Sequence, residues 1–404
     1  MDFIANISLE ENRTYENLFT IAAYLSIGWC LINVTVIPRV GAWVGKQSFW
    51  LDHAIGPQRA MLKNFGILNA SDEELVEMFA TTLFYGCHHS FCGVMLLPVC
   101  IFGWEDSSSF CRGLFAFGLL NDVGFDIFDE VYMFLRTFFH KKLGLRPHPL
   151  ALFIVLGILH HPLSIMMSVP LIHRYADMRE GHIIATSLLF AGAVGVSLSS
   201  YKFTLDVASP SGFFKFKIVA ITQFVVITLS RAVVFPPMAW SAIQRIKADP
   251  AASTGFFVMS CFCVSLIALF NFIMVNDAAS VVMKWCFRSA PKSKQVEDVK
   301  DDDGIAPSQK RRRSSMSELL ADGNEDAIEL AEDMASLSGS YLLFSPSSKS
   351  FAPGCSGPIR SSLTSVQRRR RSSIMSVGSL AASISGSITP STVVEEEQEE
   401  KKNN

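Results

Sequence analysis

The chain has 404 residues, half of them hydrophobic, 32 of them Phe, and only 18% charged, with a net charge of −2. That composition excludes an ordinary soluble chain, and basic residues confined to short local clusters exclude a nucleic-acid-binding face. The average conceals two polymers: apolar runs with short polar connectors up to Phe287, then, from Arg288, a stretch of Ser, Gly and charge too polar to offset the entropy of ordering.

The N-terminus starts acidic, Met1-Asp2-Phe3, without the basic segment of a cleaved signal peptide. A bilayer core takes roughly 20 apolar residues of helix. Runs that satisfy this lie at 18–37, 78–102, 110–139, 149–170, 182–200, 213–240 and 254–282. The expected fold is therefore all-α and polytopic, with about seven transmembrane helices and a disordered C-terminal tail. Residues 1–17 precede the first helix, 18–76 hold that helix and a loop, 77–287 form the main membrane domain, and 288–404 form the tail.

Lys and Arg prefer the cytosolic side. Lys141, Lys142 and Arg146 after the third run, and Lys202, Lys215 and Lys217 after the fifth, assign those connectors to the cytosol, whereas the alternating connectors are acidic or near neutral (Glu105 and Asp106; Arg174, Asp177, Arg179 and Glu180), with Arg245 and Lys247 running mildly against the pattern. The N-terminus is then lumenal, in agreement with glycosylation sequons headed by Asn6 and Asn12. The tail is cytosolic, where Lys401 and Lys402 read as a dilysine retrieval signal that coat proteins recognise, placing the protein in the endoplasmic reticulum. Arg311 to Arg313 before Ser314 and Ser315, and Arg368 to Arg371 before Ser372 and Ser373, read as basophilic-kinase sites. Phosphate there reverses the local charge and releases a polybasic segment from anionic lipid.

Chemistry belongs where ionisable groups interrupt the apolar runs, because each costs several kcal/mol unless paired or wetted. Such groups are His88 and His89; Asn121, Asp122, Asp126, Asp129 and Glu130; His160 and His161; and Gln223 and Arg231. Asp122, Asp126 and Asp129 share one helical face by their i, i+4, i+7 spacing. Depth by residue rise puts the two His pairs in about the same layer. Adjacent His residues point about 100° apart, and His89 and His161 are the expected inward members. Cys87, His88, His89 and Cys92 bring soft ligands together without a spaced partner pair, so no metal is assigned, and the nine cysteines are read as buried thiols.

His89, Gly124-Phe125-Asp126-Ile127-Phe128-Asp129, His160-His161 and Ser230-Arg231-Ala232-Val233-Val234-Phe235-Pro236, in that order, resemble TLC-domain proteins, the superfamily of ceramide synthases and the translocating-chain-associated protein. The resemblance covers 77–287. It implies one leading helix plus a six-helix TLC-like bundle around a lipid-accessible cavity, with His160 and His161 lining it. In ceramide synthases such a pair serves transfer of an acyl group from acyl-CoA, as cosubstrate, to a sphingoid amine. Those enzymes carry further acids in the next helix, whereas 183–200 here has no ionisable residue. The first expectation is therefore a protein that senses or acts on membrane lipids, with His88, His89, Asp122, Asp126, Asp129, Glu130 and Arg231 supporting the lipid. The second is an N-acyltransferase using His160 and His161. A seven-helix receptor is remote, since the expected receptor motifs are missing from the third and seventh runs. No cofactor is expected.

Overall fold

The computed structural model describes residues 2–64, 71–145, 148, 150, 153–289, 320 and 324–336. Among these residues all regular structure is helical. The N-terminal segment holds α1 (Asp2–Ile7), α2 (Tyr15–Thr35), α3 (Ile37–Val44) and α4 (Ile55–Asn64). The long helices follow as α5 (Asp72–Phe102), α6 (Ser109–Phe138), the short α7 (His140–Leu143), α8 (His161–His173), α9 (Arg179–Phe203), α10 (Pro210–Thr228), α11 (Phe235–Ala248) and α12 (Thr254–Trp285). The last is α13 (Glu325–Ser336).

Local chemistry sets several of the boundaries. Ser71 and Glu74 form a reciprocal capping box at the start of α5, and Ser108, Ser209 and Ser253 accept N-terminal amide hydrogen bonds of α6, α10 and α12. Gly103, at φ 88°, ends α5 in a conformation that disfavours a side chain. Three stretches are π-helical among the described residues, Trp50–Ala54 leading into α4, Phe153–His160 leading into α8 and Leu229–Val234 joining α10 to α11.

Six of the helical segments are long and apolar enough to cross a bilayer: Tyr15–Val44, Asp72–Phe102, Leu156–His173, Arg179–Phe203, Pro210–Ala248 and Thr254–Trp285. The remaining long helix, α6, has 30 residues, about 45 Å by rise per residue, but its acidic residues remove it from that set. It packs between α2, α5 and α8. The outer surface is apolar, with Tyr24 72%, Phe272 71% and Trp240 68% exposed, while Asp126, Asp129, His161 and Gln223 are buried. A chain that turns apolar side chains outward and ionisable ones inward is built for lipid surroundings, and the protein is an integral membrane protein by this inversion.

At one end, Ser8 Oγ donates to the Ser109 carbonyl at 3.2 Å and Arg13 to the Ile172 carbonyl at 3.3 Å, so the N-terminal segment lies on the end where α6 starts and α8 finishes. At the other end a second cluster joins Trp50, Phe79, Phe213, Phe216 and Trp285. Close approach needs small residues: a Cβ on Gly124 would fall 2.7 Å from the Leu25 Cβ and 2.8 Å from the Ala22 carbonyl, so this glycine lets α2 rest on α6. Lys202, assigned above to a connector, instead sits buried in the last turn of α9. The eight cysteines among the described residues are free thiols.

One segment departs from the expectation of an unstructured tail. Helix α13 buries Ala327, Leu330 and Ala331 against the cluster around Trp50 and Trp285. Glu329 meets Lys284 at 2.7 Å and Arg288 at 2.7 Å. Burial alone would raise the Glu329 carboxyl, but these two cations outweigh it and hold the group below its ordinary value. A carboxyl lowered on docking adds to docking above its ordinary value of about 4.3 and loses that contribution as pH falls towards the lowered one. Glu329→Ala at neutral pH is therefore expected to speed amide hydrogen exchange across 325–336 and leave the long helices unchanged, with acidification of the wild type moving exchange the same way. Exchange identical to wild type would remove the ion pairs from the docking account. Arg146, Ser314, Ser315, Ser372, Ser373, Lys401 and Lys402 lie outside the described residues.

Candidate functional site

Helix α6 carries Asp122, Asp126 and Asp129 on one buried face, with Glu130 partly buried beside them. Asp122 is 13 residues into α6, about 20 Å along its axis, and His89 lies 13 residues before the end of α5 at the same end of the bundle. The expected single layer thus forms, but it divides into two clusters.

The first cluster pairs Asp122 with α5. His88 Nε2 lies 3.1 Å and His89 Nδ1 3.7 Å from Asp122 Oδ1. Asn121 approaches the other side of the His88 ring, with its Nδ2 3.4 Å from Nδ1, and donates to Cys92 Sγ at 3.2 Å. Trp29 on the leading helix donates to Asn121 Oδ1 at 3.2 Å and packs edge-on to His88 at 4.6 Å, while Phe125 covers His88 at 4.4 Å. His88 is thereby enclosed, and His89 points towards α9, where it lies against Gly192.

The second cluster surrounds His161. Its Nε2 lies 3.7 Å from Asp126 Oδ1 and 3.6 Å from Asp129 Oδ2, and its Nδ1 lies 3.8 Å from Glu130 Oε2. Tyr85 donates to Asp129 Oδ1 at 2.9 Å. One imidazole thus sits among three carboxylates, enclosed by α5, α6 and α8.

A cavity lies beside the first cluster, among α8, α9, α11 and α12, with about 250 Å³ open to the centre of a water molecule. Its polar floor is His89, Asp122, His160 and Arg231, and its walls are apolar, including Leu188, Ile243 and Ile267. Of the adjacent pair, His160 borders the cavity and His161 does not, so the inward members are His89 and His160 with respect to this space. His160 stacks on Phe270 at 5.1 Å, and the Arg231 guanidinium lies over the same ring at 5.6 Å while donating to Asn271 Oδ1. His160 and Arg231 each belong to a π-helical turn, a local irregularity that recurs at functional sites. Gln223 stays outside the cavity and donates to the Gly195 carbonyl at 2.7 Å and to Ser199 Oγ at 2.8 Å.

The far wall closes on Tyr175, Met178 and Phe256. Tyr175 donates to Asp249 Oδ2 at 3.0 Å, and Arg174 meets the same oxygen at 2.9 Å, tying the connector after α8 to that after α11. Burial and this carboxylate push the Tyr175 hydroxyl up to about 12, so it remains a donor throughout the physiological range.

Trp29, Phe270 and Asn271 were not singled out by the sequence. Asn271 carried a usable signal, a polar residue within an apolar run, whereas the two aromatics look like ordinary lipid-facing or packing residues. Of the two expected glycosylation acceptors, Asn6 is exposed, while the Asn12 amide donates to the Asn6 carbonyl at 2.9 Å and Thr14 of the same sequon caps α2. No protein-family description, no curated protein and no solved structure matches the chain.

Proposed function

We propose that this is a TLC-like protein with seven membrane passes, α6 being the enclosed seventh, that holds or acts on a membrane lipid in the cavity beside Asp122. The observation that carries this reading is the shape of the chemistry: an ionisable floor of His89, Asp122, His160 and Arg231 beneath apolar walls. An amphiphile satisfies both, with its headgroup on the floor and its chains along the walls. Met166 of α8 and Met259 of α12 line the space and are also 40% and 45% exposed, which supports entry sideways from the bilayer between these helices. The regulated, endoplasmic-reticulum-retained tail, with its kinase and coat-protein contacts, belongs to the same proposal.

The second reading is acyl-CoA-dependent N-acylation. In its favour, His160 reaches the cavity and is placed to act as a general base. Against it, His161 is engaged by carboxylates, and the walls occupy the half of the bundle next to the N-terminal segment, opposite the Lys215 and Lys217 end assigned to the cytosol. Mass spectrometry of lipid retained by the purified protein tests the main reading. Arg231→Ala is expected to lower occupancy about tenfold, the scale of one lost charged hydrogen bond. Unchanged lipid in a folded variant would refute it. Acyl amides that stay constant in cells carrying His160→Ala would remove the acyltransferase.

A further inference from the structure

We infer that His88 Nε2, His89 Nδ1 and Asp122 Oδ1 form a binding site for a divalent first-row metal ion of the zinc or ferrous class. These three atoms lie within 4.8 Å of one another. Tetrahedral ligands 2.0–2.2 Å from zinc stand about 3.4 Å apart. The two contacts to Asp122, 3.1 and 3.7 Å, bracket that edge, leaving only the His88–His89 edge to adjust. Two neutral imidazoles and one carboxylate suit these metals.

Two independent features separate the trio from a simple interhelical hydrogen-bond set. His89 Nδ1 is a buried nitrogen without a hydrogen bond of normal length, 3.7 Å from the same Asp122 oxygen that His88 already faces at 3.1 Å. One carboxylate oxygen is thus approached by two ring nitrogens, the arrangement that a shared cation organises. The ring of His88 is also held between the Trp29 edge and the Phe125 face, and Cys92 Sγ, 3.7 Å from its Nδ1, can accept the Nδ1–H when Nε2 serves as the ligand. His89 and Asp122 border the cavity and His88 does not, so the ion's remaining coordination position faces the space where water or an oxygen of a bound molecule can fill it. The His161 cluster differs in kind, since one imidazole among three acids offers a charge cage without a second nitrogen ligand.

The test uses the full-length, tag-free protein in detergent, stripped with chelator, then reloaded separately with Zn²⁺, with Co²⁺ and, anaerobically, with Fe²⁺. Elemental analysis after gel filtration is expected to give about one ion per chain, and Co²⁺ to give the intense visible absorption of a low-coordinate site. His89→Ala, which leaves the Trp29 and Phe125 contacts of His88 in place, is expected to lose both signals while eluting as the wild type does and melting as the chelator-stripped wild type does. Arg231→Ala, in the lipid floor but outside the trio, is expected to keep the ion, so a failed lipid reading leaves this result standing. Wild type that binds no more of any of the three ions than His89→Ala overturns the site. So does cobalt whose spectrum is that of the hydrated ion. If His89→Ala aggregates, His89→Gln supplies the comparison, and equal loading in it and the wild type likewise overturns the site.

Discussion

Replacing His161 by Ala is expected to destabilise the helix bundle by about 3–5 kcal/mol, the usual cost of removing one partner from a buried ionic group. Its ring stands 3.7 Å from Asp126 and 3.6 Å from Asp129, and each of these three side chains is 5% exposed. Without the imidazole, the acids share the interior with hydroxyl partners, Tyr85 on Asp129 and Ser164 on Asp126, and neighbouring like charges repel strongly where water is scarce. The measurement is thermal unfolding in detergent at neutral pH. Adding Asp126→Asn to His161→Ala is expected to recover part of the loss, because it removes one uncompensated charge; a double variant that melts no higher than His161→Ala would indicate that packing and not charge sets the cost. His160→Ala serves as the internal comparison. It removes a stacking contact with Phe270 and no ion pair, so its loss is expected to be distinctly smaller even though the two residues are neighbours in sequence.

That contrast marks where the sequence ceases to be informative. The stripe of Asp122, Asp126 and Asp129 is legible because helical geometry is local and the three positions repeat at helical spacing. The matching depth of His88, His89, His160 and His161 is equally legible from rise per residue. Which member of a pair faces which partner is not, because the Phe153–His160 segment is wound as a π-helix and its phase differs from the α-helical 100° step. The division of the layer into a cavity-facing cluster and an enclosed one depends on α9, α11 and α12 supplying one wall and α5, α6 and α8 another, which is tertiary information. Helix α6 illustrates a different gap: its acids, which give the site its character, leave it out of the six helices apolar enough to cross a bilayer, although its length is legible in the sequence. In α13 the i, i+3, i+4 apolar set of Ala327, Leu330 and Ala331 was present in the sequence, but within 12 residues of Ser- and charge-rich chain it predicts a docked helix only once a receiving surface is known.

Substituting Gly195 by Phe is expected to raise or preserve thermal stability while removing retained lipid. A Cβ on Gly195 meets no atom within 4 Å, although the residue lines the cavity. The side chain can therefore leave the backbone towards the cavity without a clash at its Cβ, and burying the ring is worth about 1.5–3 kcal/mol by area. Relief of the helical glycine adds part of about 1 kcal/mol more. The hydrogen bond from Gln223 reaches the Gly195 carbonyl and survives the change. Gly192 is the opposite case, since its Cβ would already stand 3.3 Å from the His89 ring, so a large side chain there would push the floor itself. Because filling the cavity alters volume and not the ionisable floor, a lipid seated across the walls must be excluded about as effectively as by losing Arg231. A headgroup held by the floor alone, with its chains outside the bundle, would remain. Stability that rises while lipid occupancy falls about tenfold or more cannot come from misfolding, since a misfolded variant moves both downwards. Retention of lipid at the wild-type level by a stable Gly195→Phe protein would therefore exclude the walls as the chain-binding surface and return the cavity to a packing defect of the bundle.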